Sequence, residues 1–146
     1  MSRILFAWEL GGNLGHVMRM RTVACALRER GHDVSLHKEP SLRSSAPDLP
    51  REPASYPEIL LHYGFADPAA LTDAVRCWRS LYAQAAPDLI AFDHAPTALL
   101  AARGLGIPRV LLGTGFASPP RITPMPTIRP WQNIPAERLV ASEQRA

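Results

Sequence analysis

The 146-residue sequence has few cysteines, one lysine and no long apolar run. Cys25 and Cys77 show neither C-x-x-C nor metal-ligand spacing, so we expect two free thiols, buried or half-buried, and no disulfide or metal site. All but one of the 16 lysine and arginine residues are arginines, and they are scattered along the chain. This excludes the basic stripe of a nucleic-acid-binding surface. No segment is long and apolar enough for a transmembrane helix.

The start of the chain is not expected to be a secretory leader segment. Residues 1–3 lead directly into an apolar stretch, without the charged and then hydrophobic regions of a secretory signal. We therefore expect a cytoplasmic protein. With 47% hydrophobic residues, the chain can build the core of one domain of ordinary size.

A strand, a helix and a second strand are predicted within the first 40 residues. The residues from Arg3 to Trp8 are mostly apolar and are followed by glycines, which is typical of a buried parallel strand. From Val17 to Arg30 apolar residues recur at helical spacing. Gly31 stands where a left-handed residue commonly ends a helix, and residues 33–37 alternate as a strand does. The pattern predicts a βαβ unit.

The remaining sequence continues the alternation of strands and helices. The stretch between Pro40 and Pro57 is rich in proline and serine and is predicted to be an irregular loop. A helix is predicted from Asp67-Pro68 to Ala86, a third strand over 89–92, a helix from Pro96 to Gly104, a fourth strand over 108–112 and the start of a helix at 136. The fold class is therefore α/β, with a Rossmann-like, doubly wound parallel sheet.

Three predicted turns follow strands and carry polar or glycine residues. Because the carboxyl ends of parallel strands meet at one edge of the sheet, these turns are expected to share a ligand-binding cleft. The residues predicted to bind substrate there are Gly12, Asn13, Gly15, His94, Thr114, Gly115 and Phe116.

His16 and Asp93 are the predicted catalytic pair of this cleft. An imidazole held by a carboxylate can accept a proton from a substrate hydroxyl, because the carboxylate fixes the tautomer and stabilises the imidazolium. The residues alone leave other interpretations open. His16 is equally compatible with an exposed residue of the first helical turn, and Asp93 with an acid favoured at a helix start.

The glycine run also partly fits a dinucleotide-binding loop. Gly12 and Gly15 match the later positions of G-x-G-x-x-G, but Leu10 stands where the first glycine belongs. The alternative hypothesis is therefore a non-catalytic Rossmann-like module that binds a nucleotide or a protein.

Three segments in order carry a family resemblance: ILFAWELGGNLGHVMRM, ALRERGHDV and PDLIAFDHAPTALLAARGLGIPRVLL. They resemble the N-terminal half of GT-B glycosyltransferases, in particular bacterial relatives of UDP-glucuronosyltransferases and of flavonoid or macrolide glycosyltransferases. The first loop is also similar to that of the peptidoglycan N-acetylglucosaminyltransferase. The resemblance implies an acceptor-binding domain over 1–135 and, over 136–146, the start of a helix leading to a C-terminal donor-binding domain.

The resemblance further implies the chemistry of the site. His16 would deprotonate an acceptor hydroxyl and Asp93 would orient the imidazole, with inversion at the anomeric carbon. The co-substrate would be a nucleotide sugar, UDP-linked, with no cofactor and no metal. The acceptor would be a small molecule or a lipid-linked one, the latter with peripheral membrane contact. Many members have proline where this chain has Arg19, a departure that affects the first helical turn.

The family's donor-binding half has no counterpart in the sequence. The resemblance therefore implies a truncated chain, or a split one whose partner chain supplies the donor half, inactive alone in both cases. The acceptor-binding interpretation predicts that the His16 and Asp93 side chains lie within hydrogen-bonding distance, whereas the alternative module predicts that they lie apart.

Overall fold

A computed structural model describes residues 1–11, 14–38, 49, 51–113 and 118–146. The chain forms two compact units. Unit 1 consists of Met1–Pro40 and Asp73–Leu112, and unit 2 of Ser41–Thr72 and Gly113–Ala146.

Unit 1 contains a four-stranded sheet in which every neighbouring pair is parallel. Its strands are β1 (Arg3–Trp8), β2 (Asp33–Lys38), β3 (Leu89–Asp93) and β4 (Arg109–Leu112). Their order is β2-β1-β3-β4. The winding therefore reverses between β1 and β3, which is the position where open α/β sheets bind ligands at the carboxyl ends of their strands. The predicted Rossmann-like parallel sheet is confirmed.

Both faces of β1 are packed, as the alternation of side chains along a strand requires. Leu5 and Ala7 belong to a core cluster with Trp78, Tyr82 and neighbouring residues. On the opposite face, the alternate β1 residues Ile4, Phe6 and Trp8 belong to a second core cluster. Their buried partners there are Met20, Val34 and Ala91. Unit 1 is thus a sheet with a hydrophobic core on each side.

Helix α1 (Leu14–Glu29) connects β1 to β2 and begins three residues before the predicted apolar pattern. Its Met20 is fully buried in the second core cluster. The helix ends before Gly31, whose φ of +81° is the left-handed conformation predicted for this position.

Two further helices follow the predicted pattern. Helix α3 (Pro68–Ala85) is capped by Asp67, whose Oδ1 accepts hydrogen bonds from the backbone N–H groups of Ala69 and Ala70 at 2.9 and 3.1 Å. It buries Trp78 and Tyr82. Helix α4 (Pro96–Ala101) follows β3, with proline in its first turn.

Strand β4 stands at the end of the strand order and is poorly covered. Val110 and Leu111 are 42% and 51% exposed, although strands of parallel sheets are usually buried on both faces. The two cysteines are also exposed, so the expected burial of Cys25 and Cys77 is wrong. Each lies on a helix position that faces solvent.

Unit 2 contains helix α2 (Tyr56–Leu60), a π-helical turn (Leu61–Phe65) and helix α5 (Ala136–Arg145). The irregular loop predicted between Pro40 and Pro57 lies mostly outside the described residues. Near the end of that stretch Ser55 caps α2, because its Oγ accepts from the backbone N–H of Glu58 at 3.4 Å. Pro57 then occupies the first turn, where proline is favoured. The helix predicted from 136 is present.

An ion pair between a buried carboxylate and a partly exposed guanidinium joins α2 to α5 within unit 2. The Glu58 side chain is 2% exposed and accepts hydrogen bonds from Arg138 Nε and Nη2 at 2.7 and 2.9 Å. It also accepts from the backbone N–H of Ala54 at 2.7 Å. Burial alone would raise the pKa of Glu58, but the Arg138 and Ala54 hydrogen bonds outweigh burial and lower it.

Candidate functional site

The site is built at the switch point of the sheet in unit 1. Asp93 is the last residue of β3 and lies opposite Trp8, the last residue of β1. Its side chain is 1% exposed. The turns that follow these two strands therefore begin side by side at the carboxyl edge of the sheet, and α1 begins after the first of these turns.

His16 and Asp93 form a hydrogen bond across this edge. The Nδ1 atom of His16, in the first turn of α1, lies 2.9 Å from Asp93 Oδ1. The His16 side chain is 23% exposed, so the pair combines a buried carboxylate with an imidazole that solvent can reach. The two side chains predicted to approach each other do so; their catalytic roles remain predictions.

A third side chain, Arg19, completes the cluster. It lies one helical turn after His16, on the same side of α1. Its Nη1 is 3.3 Å from Asp93 Oδ2 and 3.5 Å from Oδ1. The buried carboxylate is thus shared between an imidazole and a guanidinium group.

Two aromatic rings flank His16. The Trp8 ring stacks on it with centroids 5.8 Å apart and planes inclined by 20°, and the His94 ring lies 6.1 Å away at 26°. Trp8 is itself fixed, because its Nε1 donates to the Leu10 carbonyl at 2.8 Å. Lys38 Nζ lies 4.1 Å from the centroid of the Trp8 ring. These contacts restrict the orientation of the His16 imidazole.

His94 is half-buried beside the pair and has a backbone φ of +48°. Its carbonyl accepts from the Leu10 N–H at 2.9 Å, which ties the turn after β1 to the turn after β3. Burial lowers the pKa of His94, and the charge of His16 lowers it further, although Asp93 acts in the opposite direction. His94 is therefore favoured as a neutral neighbour.

Glu9 also connects the turn after β1 to the segment after β3. Its side chain accepts hydrogen bonds from Trp78 Nε1 at 2.5 Å and from the backbone N–H groups of Thr97 and Ala98 at 2.8 and 3.1 Å. It therefore holds the first turn of α4, immediately after Asp93 and His94. Burial raises the pKa of Glu9 to about 7, despite the hydrogen bonds from Thr97, Trp78 and Ala98 that act against this rise.

The described residues include only part of the predicted site. Gly15 lies in the first turn of α1 and is exposed. The other residues predicted to bind substrate lie outside the described residues: Gly12, Asn13, Thr114, Gly115 and Phe116. Conversely, three residues of the site are not among those predicted from the sequence: Trp8, Glu9 and Arg19.

Two absences apply to the described parts of the chain. In residues 1–11, 14–38, 49, 51–113 and 118–146, no three His, Cys, Asp or Glu side chains form a group that could hold a metal ion. Over these same ranges, none of the helices has the length and apolar character needed to cross a bilayer.

The fold of the chain is that of glycosyltransferase structures. The glycosyltransferase SsfS6 of Streptomyces sp. SF2575 aligns with 76% of this chain at 21% identity and a TM-score of 0.50. The glycosyltransferase VinC aligns with 76% of the chain at 20% identity and a TM-score of 0.48, and the calicheamicin glycosyltransferase CalG4 with 75% at 21% and 0.47. No family profile and no curated protein sequence matches the chain.

The alignment with SsfS6 confirms the predicted GT-B-like fold, and at 21% identity it concerns the fold alone. The chain spans 39% of the length of SsfS6, 35% of VinC and 32% of CalG4.

Proposed function

We propose that this chain is the acceptor-binding part of a glycosyltransferase and that His16 is its general base. The observation that carries the proposal is the 2.9 Å hydrogen bond between His16 Nδ1 and the buried Asp93, formed where the winding of the sheet reverses. The fold shared with SsfS6 gives this pair its enzymatic context.

The proposed reaction follows from the protonation states of the pair. When Asp93 is ionised, it accepts the Nδ1–H of His16, which leaves the lone pair on Nε2. Nε2 then takes the proton of an acceptor hydroxyl as the oxygen attacks the anomeric carbon of the sugar. The bond from that carbon to the nucleotide diphosphate breaks, and the diphosphate leaves with the bonding electrons. Attack opposite the leaving group inverts the anomeric centre.

The proposal includes partners that this chain does not supply. The donor is a UDP-linked sugar held by a C-terminal donor domain, in the same protein or in a partner chain. The acceptor is a small molecule or a lipid-linked one, in which case the protein contacts the membrane peripherally. The site is proposed to need no cofactor or metal, and the protein to act in the cytoplasm.

Two measurements test the proposal. In the first, the chain is joined to the donor-binding domain of a GT-B glycosyltransferase, and UDP-sugars and hydroxylated acceptors are screened by mass spectrometry. We expect a glycosylated product that His16→Ala abolishes. The control, His32→Gln, changes a histidine that precedes β2, at the opposite edge of the sheet, and should retain the product.

The second measurement uses the chain by itself. Hydroxylated acceptors should shift the NMR signals of the His16 ring, and UDP-sugars should not bind tightly. Tight binding of a nucleotide, with no acceptor perturbing His16, would contradict the acceptor role. It would support the non-catalytic nucleotide-binding module instead.

A further inference from the structure

We propose that Arg19 is a positioning residue for His16: by pairing with Asp93 it keeps the carboxylate ionised and Nε2 of His16 free of a proton. The inference rests on the proposed function, since it concerns the nitrogen that would act as the base. Arg19 is the position at which this chain departs from the family that it resembles, many members of which have proline there.

The Asp93 charge is buried. Its side chain is 1% exposed, so water contributes little to its solvation. A buried carboxylate needs a positively charged partner, because hydrogen bonds from neutral groups compensate only part of the lost hydration. Arg19 provides that charge, since its Nη1 lies 3.3 Å from Asp93 Oδ2.

The two oxygens of the Asp93 carboxylate contact different neighbours. Oδ1 lies 2.9 Å from His16 Nδ1, whereas Arg19 Nη1 lies nearer Oδ2 than Oδ1. Among the residues that the structure describes, the other groups that pack against His16 are the His94 ring and the Trp8 ring, over which Lys38 lies. Neither His94 nor Trp8 supplies a negative charge. Asp93 is thus the anion of this cluster, and Arg19 is the cation bonded to it.

Without the Arg19 guanidinium, the buried negative charge of Asp93 would be compensated by a proton on His16, giving an imidazolium, or removed by a proton on Asp93 itself. A protonated Asp93 would donate to Nδ1 and place the remaining ring proton on Nε2. In both arrangements Nε2 carries a proton and cannot accept one from a hydroxyl. Arg19 therefore maintains the form of His16 that the proposed reaction uses.

The test is the protonation state of the His16 ring nitrogens, measured by ¹⁵N NMR on the full chain in mildly alkaline buffer. The unsubstituted chain should show a protonated Nδ1 and an unprotonated Nε2. Arg19→Gln should move the Nε2 signal to the protonated range, and Arg19→Lys should restore the original pattern. The control, Arg21→Gln, removes an exposed guanidinium from the same helix and should change neither nitrogen.

An Arg19→Gln chain that folds and keeps the original nitrogen signals overturns the inference. If that variant does not fold, the unsubstituted chain provides a second measurement. The guanidinium protons of Arg19 should exchange with water more slowly than those of Arg21, and Asp93→Asn should abolish the difference. Equal exchange in the unsubstituted chain also overturns the inference. Neither readout requires sugar transfer, so failure of the proposed function and failure of this inference are separable.

Discussion

Gly11 and the Nε2 atom of His16 lie so close together that a side chain at Gly11 would meet the ring. A Cβ placed on Gly11 would be 2.7 Å from Nε2, a distance that real Cβ atoms essentially never show. Gly11 also has a φ of +92°, which disfavours any L side chain. Glycine is thus required here for two separate reasons, one conformational and one steric.

Gly11→Ala should therefore destabilise the chain and displace the His16 ring. The matched control is Gly31→Ala, because Gly31 also has a positive φ, of +81°, but in the part of the chain that the structure describes an added Cβ would meet no atom within 4 Å. We expect Gly31→Ala to cost about 1 kcal/mol from backbone strain, and Gly11→Ala to cost more than about 2 kcal/mol. Urea unfolding measures both. Equal costs, with the His16 signals unchanged, would show that the ring does not pack on Gly11.

Glu9 should make the stability of the chain depend on pH near neutrality. Its folded pKa of about 7 lies above the ordinary value of 4.5, so the folded state binds the proton more tightly than the unfolded state. The stabilisation is complete below pH 4.5 and is lost as the pH rises through 7. The free energy of unfolding should fall by an amount on the order of 3 kcal/mol over this interval. Glu9→Gln should remove this part of the slope.

The control for this pH dependence is Glu29→Gln, at an exposed position of α1. It should leave the slope unchanged. Unfolding followed at a series of pH values, for both variants and the unsubstituted chain, separates Glu9 from the other titrating groups. If the free energy of unfolding depends on pH in the same way for Glu9→Gln and the unsubstituted chain, Glu9 has its ordinary pKa in the folded state.

The Glu58–Arg138 pair should have the opposite pH dependence. Because the folded pKa of Glu58 is lowered, its stabilisation is present above the unfolded value of 4.5 and is lost as the pH falls through the folded pKa. Arg138→Met should cost about 2 to 3 kcal/mol at neutral pH, since Glu58 stays buried without its cation. This difference should shrink in acid.

Arg76→Met is the comparison for that experiment. Arg76 pairs with Asp73 at 2.9 Å, but both side chains are 74% exposed, so the loss should be within about 0.5 kcal/mol. Urea unfolding at neutral and acidic pH gives both values. Similar losses for the two arginine variants would indicate that the Glu58–Arg138 pair is solvated in solution.

Asp93→Asn should reduce sugar transfer in the linked enzyme described above. The amide has nearly the same shape but no charge, so it no longer stabilises an imidazolium on His16. We expect a fall of roughly 10²- to 10⁴-fold in kcat, the range assigned to general acid–base catalysis, with acceptor binding retained. Asp73→Asn, at an exposed position, should have full activity. A kcat unaffected by Asp93→Asn would exclude Asp93 from the reaction.

The elements β1, β3 and α3 were predictable because each has a strong local signal. β1 and β3 are short apolar runs, and α3 has an apolar stripe from Leu71 to Tyr82 whose members are all at least half-buried. The approach of His16 to Asp93 followed from topology, since carboxyl ends of neighbouring parallel strands share an edge. The helix α2 is not predicted, because Pro57 belongs to a stretch of prolines that interrupts any periodic pattern, although proline in a first turn favours a helix.

The roles of Glu9 and Arg19 depend on contacts that no local pattern contains. Glu9 accepts hydrogen bonds from residues 69 to 89 positions away, and Arg19 reaches a carboxylate 74 positions away. A weak signal existed for Arg19, because it stands three residues after His16 and so lies on the same side of α1. For Glu9, the signal was its position directly after an apolar strand, which indicates a buried carboxyl that needs several hydrogen-bond donors.

The exposure of β4 has a consequence for handling the protein at high concentration. Val110 and Leu111 are adjacent, so they face opposite sides of the sheet, and both are largely exposed. In the sheet formed by the residues that the structure describes, β4 has a neighbouring strand on one side only. A strand in that position that is apolar on both faces favours association between copies. Sedimentation and scattering should therefore become concentration-dependent, and a charged residue at position 110 or 111 is the substitution to introduce when a monodisperse sample is needed.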